Sequence, residues 1–168
     1  CRCGCSRGCK GVGLRLDVTA EEVLSLGGDG VMLSNGPCDP KGNVQCIGQI
    51  GKVLGKLPSF GICLGHQRAA LALGGDTVKL KCGHRGANQP VKDLATGRVR
   101  ATSQNHGYAV DSESVQAPGR VCLVNVNDGT CAGIVYGDWG YSVQFAATEN
   151  VLDTWMARIE GGNGHAAF

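Results

Sequence analysis

The sequence predicts an α/β fold: an open, mostly parallel sheet covered by helices, with an antiparallel β portion appended. Three observations carry this. Short apolar runs alternate with helical patterns through the first half of the chain. The second half is a succession of strand patterns broken by turn residues. Between the two, a strand gives way to a helix at Cys63, which Gly61 and Gly65 flank.

The elements follow in chain order. Val12, Leu14, Leu16 and Val18 alternate with polar or small residues, the period of a strand. Residues 20–26 read as a short helix ended by Gly27 and Gly28. Residues 31–33 form a short buried strand that runs into the turn residues Ser34, Asn35, Gly36 and Pro37. Val44, Ile47, Ile50, Val53 and Leu54 keep a helical period, weakened by Gly48, Gly51 and Gly55. Residues 59–62 are the strand before Cys63, and residues 64–73 the helix after it, stopped by Gly74 and Gly75. Residues 77–80 and 98–102 read as strands. Residues 121–126 and 131–136 flank Asn127, Asp128, Gly129 and Thr130, a hairpin turn. A last strand spans residues 141–145, and Val151, Leu152, Trp155, Met156 and Ile159 make one face of a closing helix. The expected organisation is a loose cysteine-rich stub over residues 1–10, one domain over 11–160 and a flexible tail over 161–168. Opening on cysteine rather than methionine suits a fragment or a processed chain.

Composition narrows the function classes. A length of 168 residues suffices for one domain with a core. The net charge is +2 without a long charge run, which argues against nucleic acid and against a membrane surface. No apolar stretch approaches the ~20 residues of a membrane span. Ten cysteines fall below the density of a disulfide scaffold, and Cys38, Cys46, Cys63, Cys82, Cys122 and Cys131 lack paired spacing. Reduced thiols in a cytoplasmic protein are the reading that follows. Cys1, Cys3, Cys5 and Cys9 carry thiols that zinc accepts, but their spacing is not that of common structural sites, so no metal site is assigned.

Cys63 is the candidate nucleophile. A cysteine between two glycines at a strand-to-helix junction has the layout of a nucleophile elbow. The helix beginning beside it directs free N–H groups at the sulfur, which is expected to favour thiolate. A lone cysteine at a strand end is otherwise a small buried hydrophobe.

Four ordered segments extend the pattern: residues 29–40, residues 60–67 around the elbow, residues 82–93 with Gly83-His84-Arg85-Gly86-Ala87-Asn88, and residues 102–111 with Ser103-Gln104-Asn105-His106-Gly107-Tyr108. Together they resemble the class I glutamine amidotransferase domain of carbamoyl-phosphate synthase small subunits, from about Arg7 to Phe145. The resemblance implies a class I glutamine amidotransferase-like fold and hydrolysis of glutamine to glutamate and ammonia through a Cys63 thioester. It implies that the N–H groups of Gly36 and Leu64 form the oxyanion hole, and that Gly36, Leu64, Gln67, Asn105, Gly107 and Tyr108 contact glutamine. Cys38 stands where the family has a second glutamine-contacting glycine. Taken alone, Gln67 also reads as a solvated helix residue and residues 105–107 as an ordinary turn. His66 and His84 match no family base and are read as structural.

Two departures stand out. Family members follow the last strand with a His-Pro-Glu sequence that completes a Cys-His-Glu triad; here Phe145 is followed by Ala146, Ala147, Thr148 and Glu149. Ala146 holds the histidine position, so glutaminase turnover is expected to be weak. The family's domain also begins with a strand and helix ahead of the region matching residues 7–18, and a sheet without that first strand is expected to leave an open edge or a gap.

The resemblance further implies that the partner is a large carbamoyl-phosphate synthetase subunit, which joins the ammonia to bicarbonate for arginine and pyrimidine synthesis. The chain has no G-x4-G-K-[ST] phosphate loop, so no cofactor is expected in it, and ATP and its metal are expected on that partner. Two other readings are a degenerate amidotransferase-like module that binds without hydrolysing, favoured by Ala146, and a cysteine-rich metal-binding protein.

Overall fold

The computed structural model describes residues 8–146, 151–153 and 155–156. Seven strands form one sheet in the order β1-β2-β7-β6-β5-β3-β4. They are β1 (Val31–Leu33), β2 (Ser59–Ile62), β3 (Thr77–Asp93), β4 (Val99–Val110), β5 (Gly119–Asn125), β6 (Cys131–Tyr136) and β7 (Gly140–Val143). The helices are α1 (Ala20–Ser25), α2 (Val44–Val53) and α3 (Leu64–Ala72). β1, β2 and β7 run parallel. From β7 outward through β6, β5, β3 and β4 every pairing is antiparallel. The expected helix-covered sheet with parallel and antiparallel parts is present, and the antiparallel part continues the same sheet.

Local chemistry explains the helix starts. Thr19 caps α1 in a capping box: its hydroxyl accepts from Glu22 N–H at 3.2 Å, and Glu22 Oε2 accepts from Thr19 N–H at 2.8 Å. Asn43 caps α2 by accepting from Cys46 N–H at 2.9 Å. α3 has no side-chain cap; its N-cap residue is Cys63 itself. Gly74, at φ 86°, ends it in the left-handed region.

The sheet buries both faces in its centre. On one face Phe60, Tyr141, Val143 and Phe145 pack with Val151, Leu152 and Trp155 of the closing helical segment. On the other, Ala69 and Ala70 of α3 pack with Val110, Cys131, Ile134 and Tyr136. Phe60 is fully buried, with its ring centroid 6.2 Å from Tyr141 and 5.8 Å from Trp155. The expected apolar face of the closing helix is therefore borne out at Val151, Leu152 and Trp155; Ile159 lies outside the described residues.

Two expectations need correction. Residues 12–18 are not a strand: Val12, Leu14 and Leu16 are exposed and the segment pairs with nothing in the sheet. Alternation shows only that a strand there would have two faces; it supplies no partner, and β1 remains the sheet edge. The hairpin strands at the far end of the sheet are also far longer than their apolar runs: β3 continues through Cys82–Asn88 and β4 through Ser103–Tyr108. Backbone pairing sustains them where the side chains show no period. The stub residues Cys1, Cys3 and Cys5 and the tail over 161–168 lie outside the described residues.

A stability prediction follows from the aromatic stack. Phe60→Ala removes a fully buried ring from between two others and is expected to cost about 3–5 kcal/mol of unfolding free energy, measured by urea denaturation. A cost below about 1 kcal/mol would show that this stack does not organise the core.

Candidate active site

Cys63 sits in the turn between β2 and α3 at φ 51° and ψ −103°, the one non-glycine residue with positive φ among those described. Such a conformation is strained for a residue with a Cβ and is held by its surroundings. Cys63 N–H donates to Val143 O at 2.8 Å, and Cys63 O accepts from Gln67 N–H at 3.1 Å. The flanking glycines have a steric reason. A Cβ on Gly61 would come within 2.9 Å of the Gly65 carbonyl, and one on Gly65 would overlap the Leu33 carbonyl oxygen. The start of α3 thus lies against the end of β2 and of β1, which forces the sharp turn. This is the tight strand-to-helix elbow that the spacing predicts.

The thiol does not behave as the elbow alone suggests. Cys63 is half-buried, and desolvation pushes its pKa above the ordinary thiol value. The Leu64 N–H and the Gln144 side chain act in the opposite direction and do not overcome it. The expected net favouring of thiolate is corrected: at rest the group is a thiol, because the helix-end N–H and one amide offset only part of the lost hydration.

Several of the sequence-predicted residues converge on the turn. Leu64 is the first residue of α3, with its N–H beside the sulfur. Gly36 packs on Leu64, since a Cβ there would come within 2.8 Å of Leu64 Cδ2. Gln67 is buried one turn into α3, and its Nε2 donates to Tyr108 O at 2.7 Å and to Gln144 Oε1 at 2.8 Å. Both of its amide protons are therefore engaged, and only its Oε1 remains open to a donor on a ligand. Tyr108 is half-buried and its hydroxyl donates to Asp39 Oδ2 at 3.2 Å, tying β4 to the loop that carries Gly36 and Cys38. Lys41 and Asp76, 2.5 Å apart, pin the same loop from its far end.

Other predicted residues are less engaged. Cys38 is an exposed free thiol on that loop. Asn105 is exposed and opposite Arg85 in the β3–β4 register, and its side chain makes no hydrogen bond among the described residues. Gly107 is half-buried between them and Tyr108, with open space where a Cβ would stand. Ala146 is exposed, and its N–H donates to Ser103 O at 2.9 Å. Ala147, Thr148 and Glu149 lie outside the described residues.

The three histidines near this region each have a partner within the fold. His66 is fully buried on α3, its Nδ1 lies 2.7 Å from Ser142 Oγ, and burial takes its pKa down to about 3. His84 Nε2 is 2.8 Å from Asp128 Oδ2. Both ring nitrogens of His106 are engaged, Nδ1 with Tyr108 O at 2.7 Å and Nε2 with Gln104 Oε1 at 2.8 Å, and burial lowers its pKa to about 4.

Two residues escaped the sequence reading. Asp39 holds the Gly36 loop to β4 through Tyr108, and Gln144 brings an amide to the sulfur. The signal for Gln144 was its place as a long polar side chain between Val143 and Phe145 in the last strand, which demands a buried partner. Asp39 gave no signal beyond the ordinary turn chemistry of its loop.

Comparison with known proteins agrees with this geometry. The profile of the family described as glutamine amidotransferase class-I matches residues 1–145. A carbamoyl phosphate synthase small chain of Listeria innocua is 54% identical over 136 residues, covering 80% of this chain and 38% of that protein. One of Methanopyrus kandleri is 53% identical over 131 residues, covering 77% of this chain and 36% of that protein. The chain thus spans less than half the length of these relatives. Among solved structures, a GMP synthase-type protein of Thermoplasma acidophilum superposes with a TM-score of 0.81 at 19% identity, covering 95% of this chain and 86% of that one. A glutamine amidotransferase of Methylobacillus flagellatus gives 0.62 at 14% identity, covering 95% and 66%. The two structures share the fold.

The buried histidines set a pH dependence. Both folded-state pKa values, about 3 for His66 and about 4 for His106, lie below the ordinary 6.5, so the unfolded chain binds more protons between those limits. Their contribution to stability is complete above pH 6.5 and is lost progressively as pH falls, for His106 toward 4 and for His66 toward 3. Thermal unfolding followed from pH 7 to 5 should show a falling midpoint, and His66→Asn should flatten that slope. A parent midpoint constant across this range would contradict the assignment.

Proposed function

Because the chain belongs to the class-I glutamine amidotransferase family, we propose that it is the glutamine-binding amidotransferase domain of a carbamoyl-phosphate synthase small chain, with Cys63 as nucleophile. The observation that carries this is the Cys63 turn: a positive-φ cysteine at the head of α3, with Leu64 N–H beside the sulfur and the Gly36 loop packed on Leu64.

In this reading the glutamine carboxamide carbon meets Cys63 Sγ. The carbonyl oxygen, as it gains charge, turns toward the N–H groups of Gly36 and Leu64, where preorganised donors stabilise a tetrahedral intermediate. Collapse expels ammonia and leaves a thioester; water then attacks the thioester and releases glutamate. Gln67 Oε1 accepts from the amino acid, and the chain around Asn105, Gly107 and Tyr108 receives its α-amino and carboxylate ends. Ammonia passes to a large synthetase subunit, which carries ATP and metal and joins the ammonia to bicarbonate.

The first step needs the thiol proton removed, and the leaving nitrogen needs one supplied. Ala146 does neither. Loss of general base help costs typically 10²–10⁴ in rate. That residue is the specific observation favouring a second reading, a module that binds glutamine or its partner with little hydrolysis.

One experiment separates the two. Ammonia release from glutamine is measured for the chain and for variants, with glutamine binding followed by calorimetry. The unmodified chain should bind glutamine and release ammonia near background. Ala146→His should raise release, and Thr148→Glu should help more in its presence than alone, because an imidazole needs a carboxylate to fix its tautomer. Robust release from the unmodified chain would overturn the weak-turnover account. Absence of glutamine binding in every variant would overturn the assignment.

A further inference from the structure

We propose that the Gln144 side chain is the group that holds the Cys63 thiolate, aimed at the sulfur by an amide relay that begins at the Tyr108 carbonyl. This rests on the reading of Cys63 as nucleophile and names a residue that reading does not contain.

The orientation follows from donor and acceptor bookkeeping alone. The Tyr108 carbonyl only accepts, so the Gln67 amide must present its nitrogen there, at 2.7 Å. The same nitrogen lies 2.8 Å from the Gln144 amide, which must therefore turn its oxygen toward Gln67. Once its oxygen is fixed, Gln144 has its Nε2 directed away from Gln67. A backbone carbonyl thus decides the direction of two side-chain amides in sequence, which settles an assignment that amide shape alone leaves ambiguous.

Position supplies the target. Val143 O accepts from Cys63 N–H at 2.8 Å, so Gln144 follows directly on the residue bonded to the nucleophile's own backbone. Gln144 is 2% exposed, and its Nε2 has no partner of full hydrogen-bond geometry among the described residues. A buried donor without an acceptor is costly, and native structures retain few of them. The nearest change that relieves the cost is ionisation of Cys63. A thiol is a poor acceptor, whereas a thiolate is a strong one, so the bond forms as the proton leaves. The amide already biases the sulfur toward thiolate at rest. With alanine at position 146, Gln144 is the side chain that supplies this bias. Gln67 and Tyr108 are positioning residues, acting through Gln144.

The test reads the thiol directly. Cys63 alkylation by iodoacetamide is followed from pH 7 to 10 in the full chain, by mass spectrometry of its peptide. Gln144→Leu should move the midpoint to higher pH and slow alkylation at pH 7 by about fivefold, the worth of one hydrogen bond. Gln144→Glu, close in shape, should slow it further by placing an acceptor or a charge against the sulfur. Gln67→Leu should shift the midpoint in the same direction by less. An unchanged pH profile in folded Gln144→Leu or Gln144→Glu overturns the proposal. Should neither variant fold, the unmodified chain decides: the Gln144 side-chain amide resonances should move with the Cys63 titration and stay still in Cys63→Ala, and motionless resonances overturn it. Alkylation reports the thiol whether or not ammonia is released. A failed relay therefore leaves the glutaminase reading standing, and loss of glutamine binding leaves the relay measurement intact.

Discussion

The structure depends on one close approach, that of the start of α3 to the ends of β1 and β2. Gly65 has no room for a Cβ against the Leu33 carbonyl, and Gly61 has little against Gly65. A helix this near its preceding strand can be entered only through a turn tighter than an ordinary residue adopts, and Cys63 absorbs that strain at φ 51°. The burial that repels charge from the sulfur, the N–H that attracts it and the placing of Leu64 under the Gly36 loop all follow from the same crossing. The surroundings of the sulfur are a by-product of packing density: a side chain at Gly65 would displace Leu33, and one at Gly61 would displace Gly65.

Around that crossing the interior is wired with polar groups rather than sealed with apolar ones. His66 and Ser142 meet at 2.7 Å, Ser142 Oγ donates to Tyr136 Oη at 3.2 Å, and Gln67 Nε2 donates to Gln144 Oε1 at 2.8 Å. Such networks specify one arrangement because any slip leaves buried donors unpaired. Arg68 is less well served. It is 6% exposed on α3, its Nε has no hydrogen-bond partner among the described residues, and its Nη1 donates to Cys46 Sγ at a long 3.9 Å. A guanidinium so placed weakens the α2–α3 contact, since its lost hydration is poorly replaced.

Much of this was legible in the sequence where short-range rules act. The bounds of β2 and β6, the Asn127–Thr130 turn and the G-x-C-x-G junction depend on residues a few positions apart, and they emerged as expected. The resemblance located Gly36, Gln67 and Tyr108, which the fold brings together. What was not legible depends on distant partners. Residues 12–18 have a strand's period and no strand beside them. The middle of β3 has a strand's pairing and no period. The ionisation of Cys63 turned on how much water the completed fold removes, which no motif records. Asp39 and Gln144 became visible only when the loop and the last strand were placed against β4 and α3.

The sheet order carries a consequence for how the chain comes into being. β7 comes after the other six strands of the described residues along the chain, yet it lies between β2 and β6. During synthesis β2 emerges early and must wait, one edge bare, while everything from Cys63 to Trp139 is added. The carbonyl that anchors the Cys63 N–H belongs to Val143 and arrives eighty residues after Cys63 itself. The antiparallel strands β3 to β6 can pair among themselves in the interval, since their contacts are closer along the chain. Synthesis thus delivers the antiparallel strands before the strand that completes the Cys63 turn, and a chain stopped short of β7 has the motif without its backbone anchor.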